Sequence, residues 1–186
     1  NVPKDSEYYS DDENKYYTDL LNAGVHGHAK LLRALTIIEG YIFSGNDEIA
    51  TRGLDLLSSL THWNQTAIEA AHNIGQRAYY GKKRRLAIIG LKIFNGLLFN
   101  FPSNYTDFRV YKKTAPTVFK TALEIATHAL LCNDNEILNL GACILKELAY
   151  HGYTPSYEHA LNATKVTALN NDTKMHLFSS LIWGGY

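Results

Sequence analysis

The protein has 186 residues, of which 46% are apolar, a content that fits one domain with a sizeable core and excludes wholesale disorder. Lys plus Arg and Asp plus Glu number 18 each, so the formal net charge of zero disfavours a globally basic nucleic-acid-binding protein. No apolar run approaches the ~20 residues of a membrane span, and two cysteines cannot build a disulfide framework or a four-cysteine zinc site.

The first 22 residues are acidic and rich in tyrosine, and we predict that they form a mobile arm ahead of a single helical domain at 23–186. The chain begins Asn-Val-Pro without an initiator Met, which predicts a processed mature chain or an excised domain. Tyrosines among carboxylates are typical of sulfation sites in secreted proteins, and such an arm would dock on a basic partner surface. The arm residues assigned to partner binding are Tyr8, Tyr9, Asp11 and Asp12.

An internal repeat organises the middle of the chain. Three segments align without gaps, at 48–60, 85–97 and 136–148. Their shared glycines are Gly53, Gly90 and Gly141. Apolar residues four before each glycine and three, four and seven after it form one stripe of an α-helix. Because glycine costs ~1 kcal/mol relative to alanine inside a helix, its recurrence predicts close crossing by a neighbouring helix. A weaker fourth copy at 174–186 has Ser179 in the glycine position.

Another helix is predicted before each copy, separated from it by a short polar turn of the kind that ends one helix and caps the next. The preceding helices are predicted at 27–43, 66–80, 116–132 and 156–169. The turns are predicted at 44–47, 81–84, 132–135 and 170–172. Residues 99–114 contain a proline and several asparagines, and we predict a loop there with at most a short helical turn.

This pattern of paired helices, with a small residue before a Leu-rich stripe, resembles the armadillo and HEAT family of helical repeats over about residues 29–186. The resemblance implies an all-α fold, namely a right-handed superhelix of about four stacked helical hairpins.

Solenoid proteins bind through one face built from equivalent helices. The outward positions of the three aligned helices lie two residues before and two and five residues after the glycine. They hold Thr51, Asp55, Ser58, Ile88, Lys92, Asn95, Asn139, Cys143 and Lys146. We predict a small, mixed partner groove on this row, with Asp55, Lys92 and Lys146 as binding residues.

The sharpest charge feature is the basic cluster in the second predicted turn, formed by Lys82, Lys83, Arg84 and Arg85. Its alternatives are a nuclear-import signal, a nucleic-acid contact, a heparin-type contact or an ordinary solvated turn. One cluster with only two neighbouring tyrosines is too little for nucleic-acid binding, so none is expected. An anionic polysaccharide remains open as a partner for this cluster.

The sequence contains none of the common motifs for catalysis, zinc binding or phosphate binding. The sequence has no HExxH or Cys–His zinc spacing, no GxSxG elbow and no Gly-rich phosphate loop, so we predict no catalytic residue, metal or cofactor. We predict that Cys132 and Cys143 are free thiols. In an antiparallel hairpin they would lie on the order of 10 Å apart along the axis, beyond disulfide reach.

Glycosylation sequons are about twice as frequent as chance predicts. They begin at Asn64, Asn104, Asn162 and Asn171. Together with the processed-looking start and the acidic arm, they favour a secreted or extracellular glycoprotein.

The leading interpretation is therefore a non-enzymatic, secreted helical-repeat protein that captures or inhibits a partner protein. One alternative is an intracellular armadillo-like adaptor domain of a longer chain, cytoplasmic or nuclear. A second alternative is a small-ligand carrier or enzyme with a pocket between helices.

Overall fold

The computed structural model describes residues 27–62 and 64–186, and these residues form eight α-helices and two short 3-10 helices without any strand. The helices are α1 (His28–Ile42), α2 (Asp47–Leu60), α3 (Gln65–Tyr79), α4 (Arg84–Asn100), α5 (Arg109–Ala129), α6 (Asn135–Tyr150), α7 (Tyr157–Ala163) and α8 (Asn171–Gly184). The 3-10 helices are Tyr105–Asp107 and Thr154–Ser156. The all-α prediction is confirmed. The predicted arm, with Tyr8, Tyr9, Asp11 and Asp12, lies outside the described residues.

The helices contact one another in consecutive pairs: α1 with α2, α3 with α4, α5 with α6, and α7 with α8. The even-numbered helices also contact each other in order, α2 with α4, α4 with α6, and α6 with α8. Among the odd-numbered helices, α1 contacts α3 and α3 contacts α5. The core runs between these two sets of helices, and its largest fully buried side chains are aromatic: Phe94, Tyr111 and Phe119.

Polar turn residues start four of the helices, as the sequence predicts. In each, an Asn or Asp side chain accepts a hydrogen bond from a backbone N–H of the first turn, which would otherwise lack a partner. These N-cap residues are Asn46, Asn64, Asp134 and Asn170. The turn before α4 differs, because Lys83 occupies the N-cap without a side-chain hydrogen bond and Lys82 has a left-handed φ of 59°.

The predicted start of the third pair is wrong. Helix α5 begins at Arg109 and not at residue 116, so residues 109–114 of the predicted loop are helical and Pro116 lies inside the helix. A proline costs about 3 kcal/mol in a helix interior. Three residues of the helix before Pro116 are buried in the core at helical spacing, namely Tyr111, Thr114 and Ala115. The free energy gained by this burial outweighs the cost of the proline.

Two details of the last pair also differ from the prediction. Helix α7 ends at Ala163 and not near residue 169, because the β-branched Thr164 and Val166 follow in tight turns instead of continuing the helix. Ser179 is exposed and bonds to its own helix, whereas its neighbour Ser180 is buried. The fourth copy of the repeat was therefore aligned wrongly at this position.

The three repeat glycines all lie where the second helix of a pair crosses the first, which confirms the predicted packing role. A Cβ atom built at Gly90 would lie 2.6 Å from both the carbonyl oxygen of Gly75 and the backbone nitrogen of Tyr79. At Gly53 it would lie 3.0 Å from side-chain atoms of α1, and at Gly141 it would lie 2.8 Å from Cβ of Ala129 on α5. No side chain fits at Gly90 without separating the two backbones.

We predict that Gly90→Leu lowers the free energy of unfolding by more than ~2 kcal/mol, because the added side chain overpacks the crossing of α3 and α4. The matched control is Gly40→Ala in α1, where an added Cβ meets nothing within 4 Å. The control should stabilise the protein by up to ~1 kcal/mol through helix propensity. Urea unfolding monitored by circular dichroism measures both changes, and a neutral Gly90→Leu would contradict the packing role.

Candidate functional site

Arginines at the start of α4 connect the helix turns of three consecutive pairs. Arg85 forms an ion pair with Asp47 at the start of α2, and its guanidinium donates to the carbonyl oxygen of Asn46 at 2.9 Å. Arg84 reaches the other way, to Asp134 at 2.5 Å and to Glu136 at 3.0 Å, both at the start of α6. The start of α4 is thus tied to the starts of both neighbouring even-numbered helices.

These bridges change how the basic cluster is interpreted. The hydrogen bond from Arg84, supported by backbone N–H donors, holds the pKa of Asp134 below its ordinary value, so this carboxylate remains charged opposite the guanidinium. Two of the four cations in the cluster therefore serve as links within the protein. Lys82 and Lys83 are exposed, and neither forms an ion pair with any described residue.

A groove runs between α2 and α4, which touch each other much less than α4 and α6 do. It consists of two hollows of about 300 and 420 Å³ that share Thr51, Leu54 and Lys92 as lining residues. We call them together the α2–α4 groove. Its floor is apolar and includes Leu57, Ile88, Ile89, Ile93 and Leu97, with Ala71 of α3 beneath. Both walls come from the aligned repeat segments.

Polar bridges close the two ends of this groove. Arg85 crosses to α2 at one end, as described above. At the other end the side-chain amide of Asn100 donates to the carbonyl oxygen of Ser58 at 3.1 Å and to the hydroxyl of Thr61 at 2.9 Å. Between Arg85 and Asn100, α4 rises about 22 Å, at 1.5 Å per residue. The groove is therefore open to solvent along its length and bounded at both ends by these bridges.

The groove brings together two of the three predicted binding residues on the folded part. Asp55 lies on the α2 wall and Lys92 on the α4 wall, and both are exposed. Neither forms an ion pair with another described residue. Ile88, predicted to face outward, is only 7% exposed and belongs to the floor, because α4 has neighbours on both sides.

Gly96 lies in the groove and was not recognised from the sequence. A Cβ atom built there would meet nothing within 4 Å, whereas the repeat glycines sit at tight helix crossings. The helix-propensity cost of a glycine at this position is thus not offset by close packing. Its effect is to keep space open beside Ile93 and Leu97. The sequence signal was available, since Gly96 is a helical glycine outside the repeat register.

Lys146, the third predicted binding residue, lies elsewhere. It lines a separate hollow of about 420 Å³ bordered by α4, α6 and α8, and its ammonium pairs with Glu147 at 2.8 Å. The structure thus does not combine Lys146 with Asp55 and Lys92 in one site.

The same hollow is bordered by His151, which is 9% exposed and follows the end of α6. Its Nε2 lies 2.8 Å from the carbonyl oxygen of Leu98 at the end of α4, so Nε2 carries the proton and donates. The ring stacks on Phe119 at a centroid distance of 5.7 Å and meets Tyr105 edge-on. Its Nδ1 is buried without a hydrogen-bond partner among the described residues.

Burial lowers the pKa of His151, against smaller opposing effects of the Leu98 hydrogen bond and of Glu147. A second ring proton would have no acceptor and would sit among aromatic rings. The neutral imidazole is therefore the form that ties the end of α4 to α5 and α6.

The four predicted glycosylation sites all lie at the surface or close to it. Asn104, Asn162 and Asn171 are exposed, whereas Asn64 is half-buried and its side-chain oxygen caps α3. Both cysteines are free thiols, as predicted. Burial raises the pKa of Cys143, which keeps that thiol protonated and poorly nucleophilic.

Within the described residues, no group of three or more His, Cys, Asp or Glu side chains is placed to bind a metal ion. In the same part of the chain, no helix combines the length and apolar character needed to cross a membrane. No protein-family model matches the sequence, and a search of curated proteins finds no match either. Functional arguments therefore rest on the geometry described above.

We predict that stability falls between pH 7.5 and pH 5 partly because of His151. Its pKa is lower in the folded state, so the unfolded chain takes up a proton first as the pH falls, and this favours unfolding. In His151→Gln, whose side-chain amide can still donate to Leu98, the loss of unfolding free energy over this range should be smaller. Urea unfolding at both pH values measures the difference.

The matched control for this measurement is His62→Gln, because His62 is exposed. The control should lose as much stability on acidification as the natural protein. A His151→Gln variant with the same pH dependence as the natural protein would contradict the role of the buried ring.

Proposed function

We propose that this protein is a non-enzymatic helical-repeat protein of the armadillo/HEAT type, in which about four helical hairpins stack into a right-handed superhelix. Two observations support it. Even-numbered helices contact each other in chain order, and so do α1, α3 and α5. The repeat glycines also place three second helices on their first helices in the same way. A pair geometry that recurs along a chain generates a solenoid.

Within this architecture, the α2–α4 groove binds a segment of another protein. The observation that carries this proposal is an apolar floor between two walls that each present one uncompensated charge, Asp55 on one side and Lys92 on the other. Apolar surface supplies affinity, and unpaired charges fix the orientation of a ligand. A matching segment has an aliphatic or aromatic residue flanked by one basic and one acidic residue.

The closed ends of the groove define the length of that segment. Between the bridges at Arg85 and Asn100, an extended chain at about 3.3 Å per residue spans six or seven residues. A helix longer than the groove would have to pass above both bridges, and its side chains would then no longer contact the apolar floor. We therefore propose an extended peptide, one of whose apolar side chains enters the space kept open by Gly96 near the Asn100 end of the groove.

The setting that we propose is extracellular. Three sequons present exposed asparagines, and the first 22 residues combine tyrosine with carboxylates in the manner of sulfated arms. The engagement of Arg84 and Arg85 in ion pairs also leaves little of the basic cluster for an import receptor, which weakens the intracellular alternative. Capture of a partner protein outside the cell is the resulting function.

The groove is tested with a displayed library of random heptapeptides selected on the immobilised protein, followed by fluorescence polarisation with the enriched peptides. We predict that Gly96→Leu weakens binding at least ~10-fold, about 1.4 kcal/mol, by filling the groove. Lys92→Glu should shift the preference from acidic to basic residues at one peptide position. The matched control, Gly40→Leu, adds the same side chain to an exposed helical site outside the groove.

Two outcomes would contradict the groove assignment. One is a selection that enriches no peptide, and the other is a set of enriched peptides that bind Gly96→Leu as tightly as the natural protein.

The extracellular setting is tested by the intact mass of the protein purified from the cells that produce it. We predict added mass that an N-glycosidase removes, with conversion of Asn to Asp at Asn104, Asn162 or Asn171 in the peptide map. Sulfation of Tyr8 and Tyr9 would appear in the same spectra. An unmodified mass would contradict secretion and would leave the groove proposal untouched.

A further inference from the structure

A second charged surface, separate from the basic cluster, lies on α5. Four cations occupy positions 1, 4, 5 and 12 of this helix, a spacing that places them on one face. They are Arg109, Lys112, Lys113 and Lys120, all exposed. We call this set the α5 stripe, and it extends over about 16 Å at 1.5 Å per residue. It belongs to an odd-numbered helix, whereas the α2–α4 groove lies between even-numbered ones.

The cations of the α5 stripe lack carboxylate partners, in contrast to Arg84 and Arg85 at the start of α4. None of its four cations lies within 4 Å of a carboxylate among the described residues. Two neighbouring acids have other hydrogen-bond partners: Asp107, two residues before Arg109, accepts from Asn104 at 3.3 Å, and Glu69, which borders the same hollow as Lys113, accepts from Gln65 at 2.6 Å. Glu124, one turn beyond Lys120, also forms no pair with it.

The placement of the stripe carries an electrostatic cost within the protein. Three of its cations fall in the first two turns of α5, next to the positive end of the helix dipole. The first turn contains no acidic residue, and Phe108 at the N-cap provides no side-chain acceptor. The start of α4 has a similar excess of cations, but there Asp47, Asp134 and Glu136 compensate it. An external anion would provide the missing compensation at α5.

We propose that the α5 stripe binds a linear sulfated polysaccharide. Exposed large apolar side chains, which a membrane-binding face needs, are absent from α5. The stripe also lacks exposed aromatic rings on which nucleic-acid bases could stack, since the neighbouring Tyr105 and Phe108 are half-buried against the core. A chain of sulfated sugars needs neither, because its sulfates pair with spaced cations.

Pro116 adds a second feature that suits a sugar. It is exposed on the same face, between Lys113 and Lys120. Proline has no N–H, so the carbonyl of Lys112 lacks its usual helical donor and keeps its capacity to accept a hydrogen bond. A polysaccharide offers hydroxyl donors beside its sulfates. The stripe thus provides cations and a hydrogen-bond acceptor along one line.

The proposal is tested with heparin as the sulfated probe, using affinity chromatography and titration calorimetry of a heparin oligosaccharide. The variant is Arg109→Gln/Lys113→Gln/Lys120→Gln. The control removes one arginine and two lysines at three other exposed sites, as Lys30→Gln/Arg33→Gln/Lys165→Gln. Circular dichroism melting verifies that both proteins remain folded. Duplex DNA of similar length and vesicles containing phosphatidylserine serve as competing anions.

We expect the α5 variant to bind heparin at least ~10-fold more weakly at low salt. Because a variant with fewer cations releases fewer counterions from heparin when it binds, the slope of log K against log salt should flatten by about two. The control should change affinity far less. Equal losses in both variants would overturn the assignment to α5. Tighter binding of duplex DNA or of the vesicles than of heparin would overturn the polysaccharide as the ligand.

Discussion

The close crossing of α3 and α4 at Gly90 is the contact on which the arrangement of the other helices depends. Backbone atoms of α4 there approach Gly75 and Tyr79 so closely that no Cβ atom could lie between them. Helix α4 also contacts α2 on one side and α6 on the other, and its Phe94, Leu91 and Leu98 are fully buried. Because close-packed interiors transmit displacement, a shift of α4 at this crossing would move the neighbouring pairs as well.

The basic residues near the starts of α4 and α5 differ in whether they have carboxylate partners. Cations at the start of a helix interact unfavourably with the positive end of the helix dipole. At α4 this electrostatic cost is offset by carboxylates from the two neighbouring turns. Asp134 also caps its own helix, so one side chain stabilises a helix start and a contact between pairs. The α5 stripe has the same unfavourable placement without compensation. That contrast, and not the number of basic residues, is the reason for proposing the α5 stripe as a binding surface.

The two proposed surfaces lie on different sets of helices and have different chemistry. The α2–α4 groove combines apolar floor with one charge on each wall, which suits a short peptide. The α5 stripe is wholly polar and suits a polyanion. Neither surface needs the other, so a protein segment and a sulfated sugar chain could be held at the same time. Such an arrangement would place a captured partner near a charged extracellular matrix.

The sequence by itself determined the helices and their pairing, because helical periodicity, polar caps and the recurrent glycine are all local signals. It also located Asp55 and Lys92, since repeat register transfers directly to helix faces. It misjudged α5, where the local signal of Pro116 was outweighed by burial of Tyr111 and its neighbours. Only the tertiary structure decided which cations are free. Arg84 and Arg85 find their acids 50 and 38 residues away, and pairing over such separations depends on how the helices pack.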